Sequence, residues 1–497
     1  MNRSPQDKAG KLPGRPAWPL DLLGLCGRGP APSAAVLGLA RSGMGAARLL
    51  LARGCRVDLL DLALPREGRE ALAHLQRGGA RLRVGPHDPD WASDYDFVVK
   101  SPGVPRGIEF LRAAERSGVA VIGECELAFL ASTGPVLAIT GTNGKSTTTA
   151  WAGDMLRRAG APALVVGNIG RAFSEGVLED PAACFVCEIS SFQLEDIRRF
   201  RPRAAVILNF TPDHLDRHGS LEEYREAKLR IFARQGPEDL ACVGPDPDLA
   251  AAARPRAPGR WARFGREDHG EEGGFLRDGS LWLRRGGREA CLAEASRLSL
   301  PGPHNVENAL AAAVLAAECP WELIPGASPP ERQERLRQGI VESLTSFGGL
   351  PHRLQPAGVV RGVRFVNDSK ATNTDSLAVA LRAFAQPVVL IAGGRDKGQD
   401  FRPLRDLVRT HVHHLVLIGE AAETLERSWP GVAGERASSL EEAVEAAWKA
   451  ALPGRTVLLS PACASFDMFA NYEDRGRRFC EAVARLATGA AEDGEAS

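Results

Sequence analysis

The sequence predicts an α/β protein with three domains in series, each built on a largely parallel sheet. Three observations predict it. Apolar runs of strand length alternate with helical patterns along most of the chain. Turns rich in glycine or polar residues follow those runs, which is where open parallel sheets bind their ligands. A chain of 497 residues is also too long for one core, because domains usually hold about 100–200 residues. The expected division is a flexible leader over 1–31, domains over 32–127, 128–349 and 350–487, and a tail over 488–497.

The first domain opens with AAVLGL (34–39), read as a buried strand. Gly38, Ala40 and Gly43 form the turn, a helical pattern follows over 44–52, and a second strand over 55–60 ends in Asp61. A strand, a phosphate-compatible turn, a helix and an acid about 20 residues on make a Rossmann-like start. Ala40 stands where a glycine would let the backbone approach a pyrophosphate closely, and a dinucleotide and a nucleotide sugar fit this pattern equally. A later strand over 96–99 runs into Lys100-Ser101-Pro102-Gly103-Val104.

The second domain carries the stronger signal. PVLAIT (135–140) reads as a strand and is followed by Gly141-Thr142-Asn143-Gly144-Lys145-Ser146, then by a helical pattern over 147–158. Backbone N–H groups and a helix N-terminus would face an anion there. Lys145 can reach the β- and γ-phosphates, and Ser146 can ligate Mg²⁺. The motif is a shortened P-loop, since Ile139 occupies the position where the usual loop begins with glycine. Glu188 closes an apolar strand, in the segment 186–193, and a carboxylate at a strand end beside a phosphate loop suits a Mg²⁺ ligand. Asn209 to His218 combines acids and histidines in one turn, which suggests a cation site, although a lone histidine is usually structural and His218 is read so. Lys228 lies on a helix over 221–233, where the residues alone favour a surface lysine. The Gly- and Pro-rich stretch 236–303, with a hairpin near 275–283, reads as the outer part of this domain.

The third domain shows strands near 364–366, 387–392, 414–418 and 456–459, with a helix over 374–384. The polar clusters 367–370, 393–397 and 460–465 fall at the strand ends of a second Rossmann-like sheet.

Composition narrows the function classes. Lys+Arg and Asp+Glu both total 62, so the chain lacks the basic surplus of a nucleic-acid scaffold. The ten cysteines are scattered, and Cys184 and Cys187 form a CxxC inside an apolar run, which reads as small buried side chains rather than a zinc site. No apolar stretch reaches the roughly 18–20 residues that span a bilayer. The first 31 residues carry Lys8, Lys11 and Arg15 but no apolar core of a signal peptide, which favours the cytoplasm. Only eight of the 62 basic residues are lysine (8, 11, 100, 145, 228, 370, 397 and 449), so these positions are candidates for places where an amine is needed.

Taken together, GTNGKS (141–146), EISSFQLE (188–195), NFTPDHLDRH (209–218), YREAKLRIF (224–232), PGPHNVENALAA (301–312), LPHR (350–353), NDSKATN (367–373), AGGRDKGQDF (392–401) and SPACASFDMF (460–469) resemble the blocks of the Mur ligases, in that family's order. The resemblance covers about 32–485, and SSFQLE, NDSKATN and SPACASFD are particular to its D-glutamate-adding branch.

It implies an ATP-dependent ligase of peptidoglycan precursor synthesis. D-glutamate would be joined to UDP-N-acetylmuramoyl-L-alanine through an acyl phosphate. By the same resemblance Gly43, Asp61 and Ser101 would hold the UDP substrate. Gly141, Thr142, Asn143, Gly144, Lys145, Ser146, Thr147, Asn305, Arg353 and Asp368 would hold ATP. Ser146, Glu188, His214 and a Lys228 carrying CO2 as a carbamate would hold two Mg²⁺ ions; Asn168 and His214 would act near the reacting carboxylate, with Lys145 and Lys228 in the catalytic set. Lys370, Thr372, Lys397, Ser465 and Tyr472 would bind D-glutamate, with Tyr472 standing where phenylalanine is common. The expected partners are these three substrates, with no nucleic acid, no membrane insertion and a monomeric enzyme. A sister ligase taking another amino acid and an NAD-dependent enzyme using the first domain remain as alternatives.

Overall fold

The computed structural model describes residues 31–64, 69–211, 215–396 and 398–495. His214 and Lys397 therefore lie outside the described residues. The chain divides into two compact units, the first ending at Phe347 and the second beginning at Gly348.

The first unit holds two sheets. One contains β1 (Ser33–Leu37), β2 (Arg56–Asp61), β3 (Arg81–Val84), β4 (Phe97–Lys100) and β5 (Ala120–Gly123), in the order β3-β2-β1-β4-β5. All pairs are parallel. β1 and β4 are buried almost throughout, which explains why they read as continuous apolar runs rather than alternating ones. The chain leaves β1 toward β2 on one side and returns to β4 on the other. That reversal opens a crevice beyond the C-terminal ends of β1 and β4, the usual ligand position of such sheets.

The second sheet contains β6 (Val136–Thr140), β7 (Ala163–Gly167), β8 (Cys184–Glu188), β9 (Ala204–Ile207), β10 (Leu240–Val243), β11 (Arg260–Gly265), β12 (Gly273–Arg277), β13 (Ser280–Arg285) and β14 (Arg288–Glu294). Its order is β14-β13-β12-β11-β10-β9-β6-β8-β7. β6 lies between β8 and β9, so its glycine turn opens at this sheet's own reversal point. The segment 236–303 extends the same sheet as β10–β14, in agreement with its reading as an outer part of the central region. The helix Lys145–Arg158 begins two residues before the expected position, at the turn itself, and packs Trp151 flat on Phe347 with centroids 5.3 Å apart. Cys184 and Cys187 are both fully buried and free, consistent with packing residues.

Two buried acids on the helix Glu124–Ala131 tie the first two sheets together. Glu126 accepts the backbone N–H groups of Arg198, Arg199 and Phe200 at 2.9, 2.7 and 3.0 Å. Glu124 accepts both the N–H and the hydroxyl of Ser174 at 2.6 Å.

The second unit is one sheet of β15 (Gln355–Val360), β16 (Val363–Asn367), β17 (Val388–Gly393), β18 (Val412–Ile418), β19 (Gly434–Arg436) and β20 (Thr456–Leu459), in the order β15-β16-β20-β17-β18-β19. Only the β15–β16 pair is antiparallel. The last helix runs from Tyr472 to Glu495, which corrects the expectation of a loose tail from 488: helical backbone continues through most of that segment.

Candidate active site

The turn after β1 is shaped by close backbone approach. Gly38 has φ +88°, and a Cβ on Gly43 would lie 1.9 Å from the Gly38 carbonyl oxygen, so only glycine fits at 43. The Ser101 hydroxyl donates to the Gly38 carbonyl at 2.7 Å, and Asp61 accepts the Leu39 N–H at 2.7 Å. Gly43, Asp61 and Ser101 therefore meet around one turn at the crevice between β1 and β4.

The loop after β6 is preformed. Gly141 and Gly144 have φ +152° and +82°. The Asn209 side chain accepts the N–H groups of Thr142 and Asn143 at 3.1 and 2.8 Å and donates to the Asn143 carbonyl at 3.1 Å. A Cβ on Gly144 would meet the Asn308 side-chain oxygen at 2.4 Å, and Asn308 in turn donates to Asn305 at 3.2 Å. The roles of Asn209 and Asn308 were not found in the sequence. Their signal is only their presence in the Mur-like blocks, since contacts spanning 66 and 160 residues leave no local pattern. Lys145 donates to the carbonyls of Gly141 and Thr142 at 2.9 and 2.7 Å, and Ser146 is buried at the start of its helix. Thr147 follows on the same helix.

Glu188 ends β8 in register with Ile139 of β6, beside this loop. One of its oxygens accepts from the Asn168 amide at 2.7 Å; the other, Oε2, is buried with no hydrogen-bond partner among the described residues. A buried carboxylate oxygen without a donor is costly unless something binds it. Lys228 is not the surface cation that its helical context suggests. It is 2% exposed, donates to the Gly141 carbonyl at 2.8 Å and lies 4.4 Å above the Tyr224 ring. Two lysines thus share one carbonyl of the phosphate loop. His218 is buried, its ring stacked on Phe192 and bonded to Ser191 at 3.0 Å, which supports its structural reading.

In the second unit, Asp368 is buried; its carboxylate accepts from the Leu354 N–H at 3.1 Å and the Ser460 hydroxyl at 2.8 Å. Burial pushes its carboxyl up to about 6, against the pull of those bonds and of Arg353 and Lys370. Ser465 is buried, and the Tyr472 carbonyl accepts from the Ser369 hydroxyl at 2.8 Å. Thr372 lies on the loop beyond Lys370.

A residue that sequence reasoning missed organises this end of the sheet. Arg475 is fully buried and donates to Ser369 through both its hydroxyl and its carbonyl, at 3.0 and 2.9 Å. It also reaches the carbonyls of Cys463, Ala464 and Gly393 at 3.1, 3.4 and 3.4 Å. One guanidinium therefore fastens the loops after β16, β17 and β20, and burial lowers its pKa to about 10. Arg475→Leu should cost at least about 3 kcal/mol, since each buried carbonyl left without a donor costs about 1–3 kcal/mol. Urea unfolding measures it, and a loss below about 1 kcal/mol would overturn this role.

Among the described residues no cluster of three His, Cys, Asp or Glu side chains has metal-site geometry, and no helix is long and apolar enough to cross a membrane.

Residues 32–123 match the Mur ligase MurD-like N-terminal domain, 139–316 the Mur ligase middle domain, and 352–463 the Mur ligase glutamate ligase domain. The chain is 43% identical over 466 residues to the UDP-N-acetylmuramoylalanine–D-glutamate ligase of Salinibacter ruber, covering 91% of this chain and 98% of that one. It is 40% identical over 458 residues to the ligase of the same name from Pelotomaculum thermopropionicum, with the same coverage. Among solved structures it resembles the UDP-N-acetylmuramate-alanine ligase MurC of Thermotoga maritima, with TM-score 0.51, 19% identity and coverage of 91% and 99%. The MurF ligase of Thermotoga maritima, solved with ADP, matches with TM-score 0.51, 15% identity and coverage of 87% and 95%.

Proposed function

The chain belongs to the Mur ligase family, and on that premise we infer that it joins D-glutamate to UDP-N-acetylmuramoyl-L-alanine with cleavage of ATP to ADP and phosphate. The observation that carries the choice of amino acid is the 40–43% identity to D-glutamate ligases over 91% of the chain. The preformed loop with Lys145 and the buried Glu188 and Lys228 supports the use of ATP.

The reaction runs in two steps. A carboxylate oxygen of the alanyl group attacks the γ-phosphorus and ADP leaves, giving an acyl phosphate. The D-glutamate amine then attacks the acyl carbon, loses a proton, and inorganic phosphate leaves as the amide forms. Gly43, Asp61 and Ser101 position the nucleotide sugar at the crevice of the first sheet. Gly141 to Thr147 and Asn305 receive ATP, with the helix N-terminus and Lys145 facing its phosphates. Arg353 and Asp368 are assigned to ATP as well. Asn168 holds Glu188 in place and stands near the reacting carboxylate. Lys370, Thr372, Lys397, Ser465 and Tyr472 are assigned to D-glutamate.

The unpartnered Glu188 oxygen fits a cation, and Glu188, Ser146, His214 and a carbamylated Lys228 would hold two Mg²⁺ ions. Bound there, the ions would offset the charge that develops on the phosphoryl group. A cytoplasmic, monomeric enzyme is part of the same reading.

The acyl phosphate makes a prediction. With ¹⁸O in the alanyl carboxylate, one label should appear in inorganic phosphate, read by mass spectrometry. Phosphate free of label would exclude this route.

A further inference from the structure

One lysine stands apart from this chemistry. Lys100 ends β4, is fully buried, and its ammonium lies 2.7 Å from the carboxylate of Asp196, which is 2% exposed. It also donates to the carbonyls of Val104 at 3.1 Å and Ser101 at 3.4 Å. The carbonyl between them, that of Pro102, accepts from Arg217 at 2.6 Å. The 101–104 loop is thus held from behind by two cations, while its Ser101 hydroxyl faces the glycine turn at Gly38. Gly38 allows no slack: a Cβ there would meet Val104 at 2.9 Å and Ser101 at 3.0 Å. Asp196 lies in the turn just beyond the short helix Ser191–Leu194 that follows Glu188 of the second sheet, and Arg106 holds its second oxygen at 2.7 Å.

We propose that Lys100 is a positioning residue for the nucleotide-sugar substrate: anchored on Asp196, it fixes the 101–104 loop of the first sheet in register with the segment that follows Glu188 in the second. The proposal rests on the assignment of that loop to the nucleotide sugar. A buried ion pair is weak support for stability as such, because desolvation offsets the attraction. Here the same ammonium bonds two carbonyls of the loop, so its effect is geometric. Arginine would not substitute, since a larger planar group does not fit a fully buried site shaped for an ammonium.

The test uses the full-length enzyme, Lys100→Met, and the double variant Lys100→Met/Asp196→Asn, which removes both charges and so leaves no buried carboxylate without its lysine. Steady-state kinetics are measured with each substrate varied, together with calorimetric titration of UDP-N-acetylmuramoyl-L-alanine. Both variants should show a KM for the nucleotide sugar raised about tenfold, with KM for ATP and D-glutamate within about twofold of the parent. If Lys100→Met does not fold, the double variant decides. A double variant that binds the nucleotide sugar as tightly as the parent, or that loses all three substrates equally, overturns the proposal. A parent enzyme that does not bind UDP-N-acetylmuramoyl-L-alanine overturns instead the functional reading beneath it.

Discussion

Lys145→Met should lower turnover about a hundred- to a thousandfold while leaving the fold intact. The loop that carries Lys145 does not depend on it. Asn209 ties Thr142 and Asn143, and Asn308 backs Gly144, so the loop keeps its shape in the variant. Methionine keeps most of the length of lysine and removes the ammonium, its charge and its donors. That charge now rests on the carbonyls of Gly141 and Thr142, two neutral acceptors that it can leave for a phosphoryl oxygen. A charge-assisted bond to the transferring phosphoryl group strengthens as negative charge moves toward the leaving oxygen, so its loss falls on the transition state more than on ATP binding. Phosphate release under saturating ATP measures the effect, and circular dichroism checks the fold. Turnover above about a tenth of the parent value would show that the backbone cradle suffices and that Lys145 is not part of the catalytic set.

Much of this site could be read before the structure. Strand, turn and helix follow one another within about twenty residues, so the turns after β1 and β6 leave a local pattern, and the structure has them at the reversal points of their sheets. The low lysine count was informative at some positions. Lys100 and Lys228 are buried and Lys145 bonds its own loop, whereas Lys449 is an exposed cation paired with Glu445. Other features were not legible because they depend on contacts between distant segments. Nothing in LEEYREAKL predicts that Lys228 packs under a carbonyl 87 residues earlier. Arg475 looks like any basic residue of a charged helix, yet three loops close on it. Lys100 is likewise ordinary in sequence until Asp196 arrives from the turn between β8 and β9. The tail was misread for a related reason: small and acidic residues over 488–495 look unstructured, but they continue a helix already anchored by Phe479 and Val483.

Lys228→Arg should be nearly inactive, and Lys228→Ala should recover part of its activity with added acetate or formate. Two accounts of a buried lysine make opposite predictions here. If Lys228 serves as a cation that caps the Gly141 carbonyl, arginine keeps the charge and a donor, and the cost should be modest. If its amine carries CO2, it is a carboxylate. The amine adds to CO2 and releases a proton, giving an anion that can ligate Mg²⁺. That chemistry needs a neutral amine, which lysine can supply and arginine cannot, since its guanidinium stays protonated. Arginine would then set a permanent positive charge beside Lys145 on the same loop carbonyl, where an anion is required. Alanine instead leaves a gap lined by Tyr224 and the loop, large enough for a small carboxylate to take the place of the carbamate. The same acids should do nothing for Lys228→Arg, whose side chain fills that gap. Rates of phosphate release with and without millimolar to molar acetate separate the accounts, and Mg²⁺ titration of each variant gives a second reading. An active Lys228→Arg enzyme, or a Lys228→Ala enzyme that acetate and formate leave unchanged, would end the carbamate account and leave Lys228 as a buried cap on the phosphate loop.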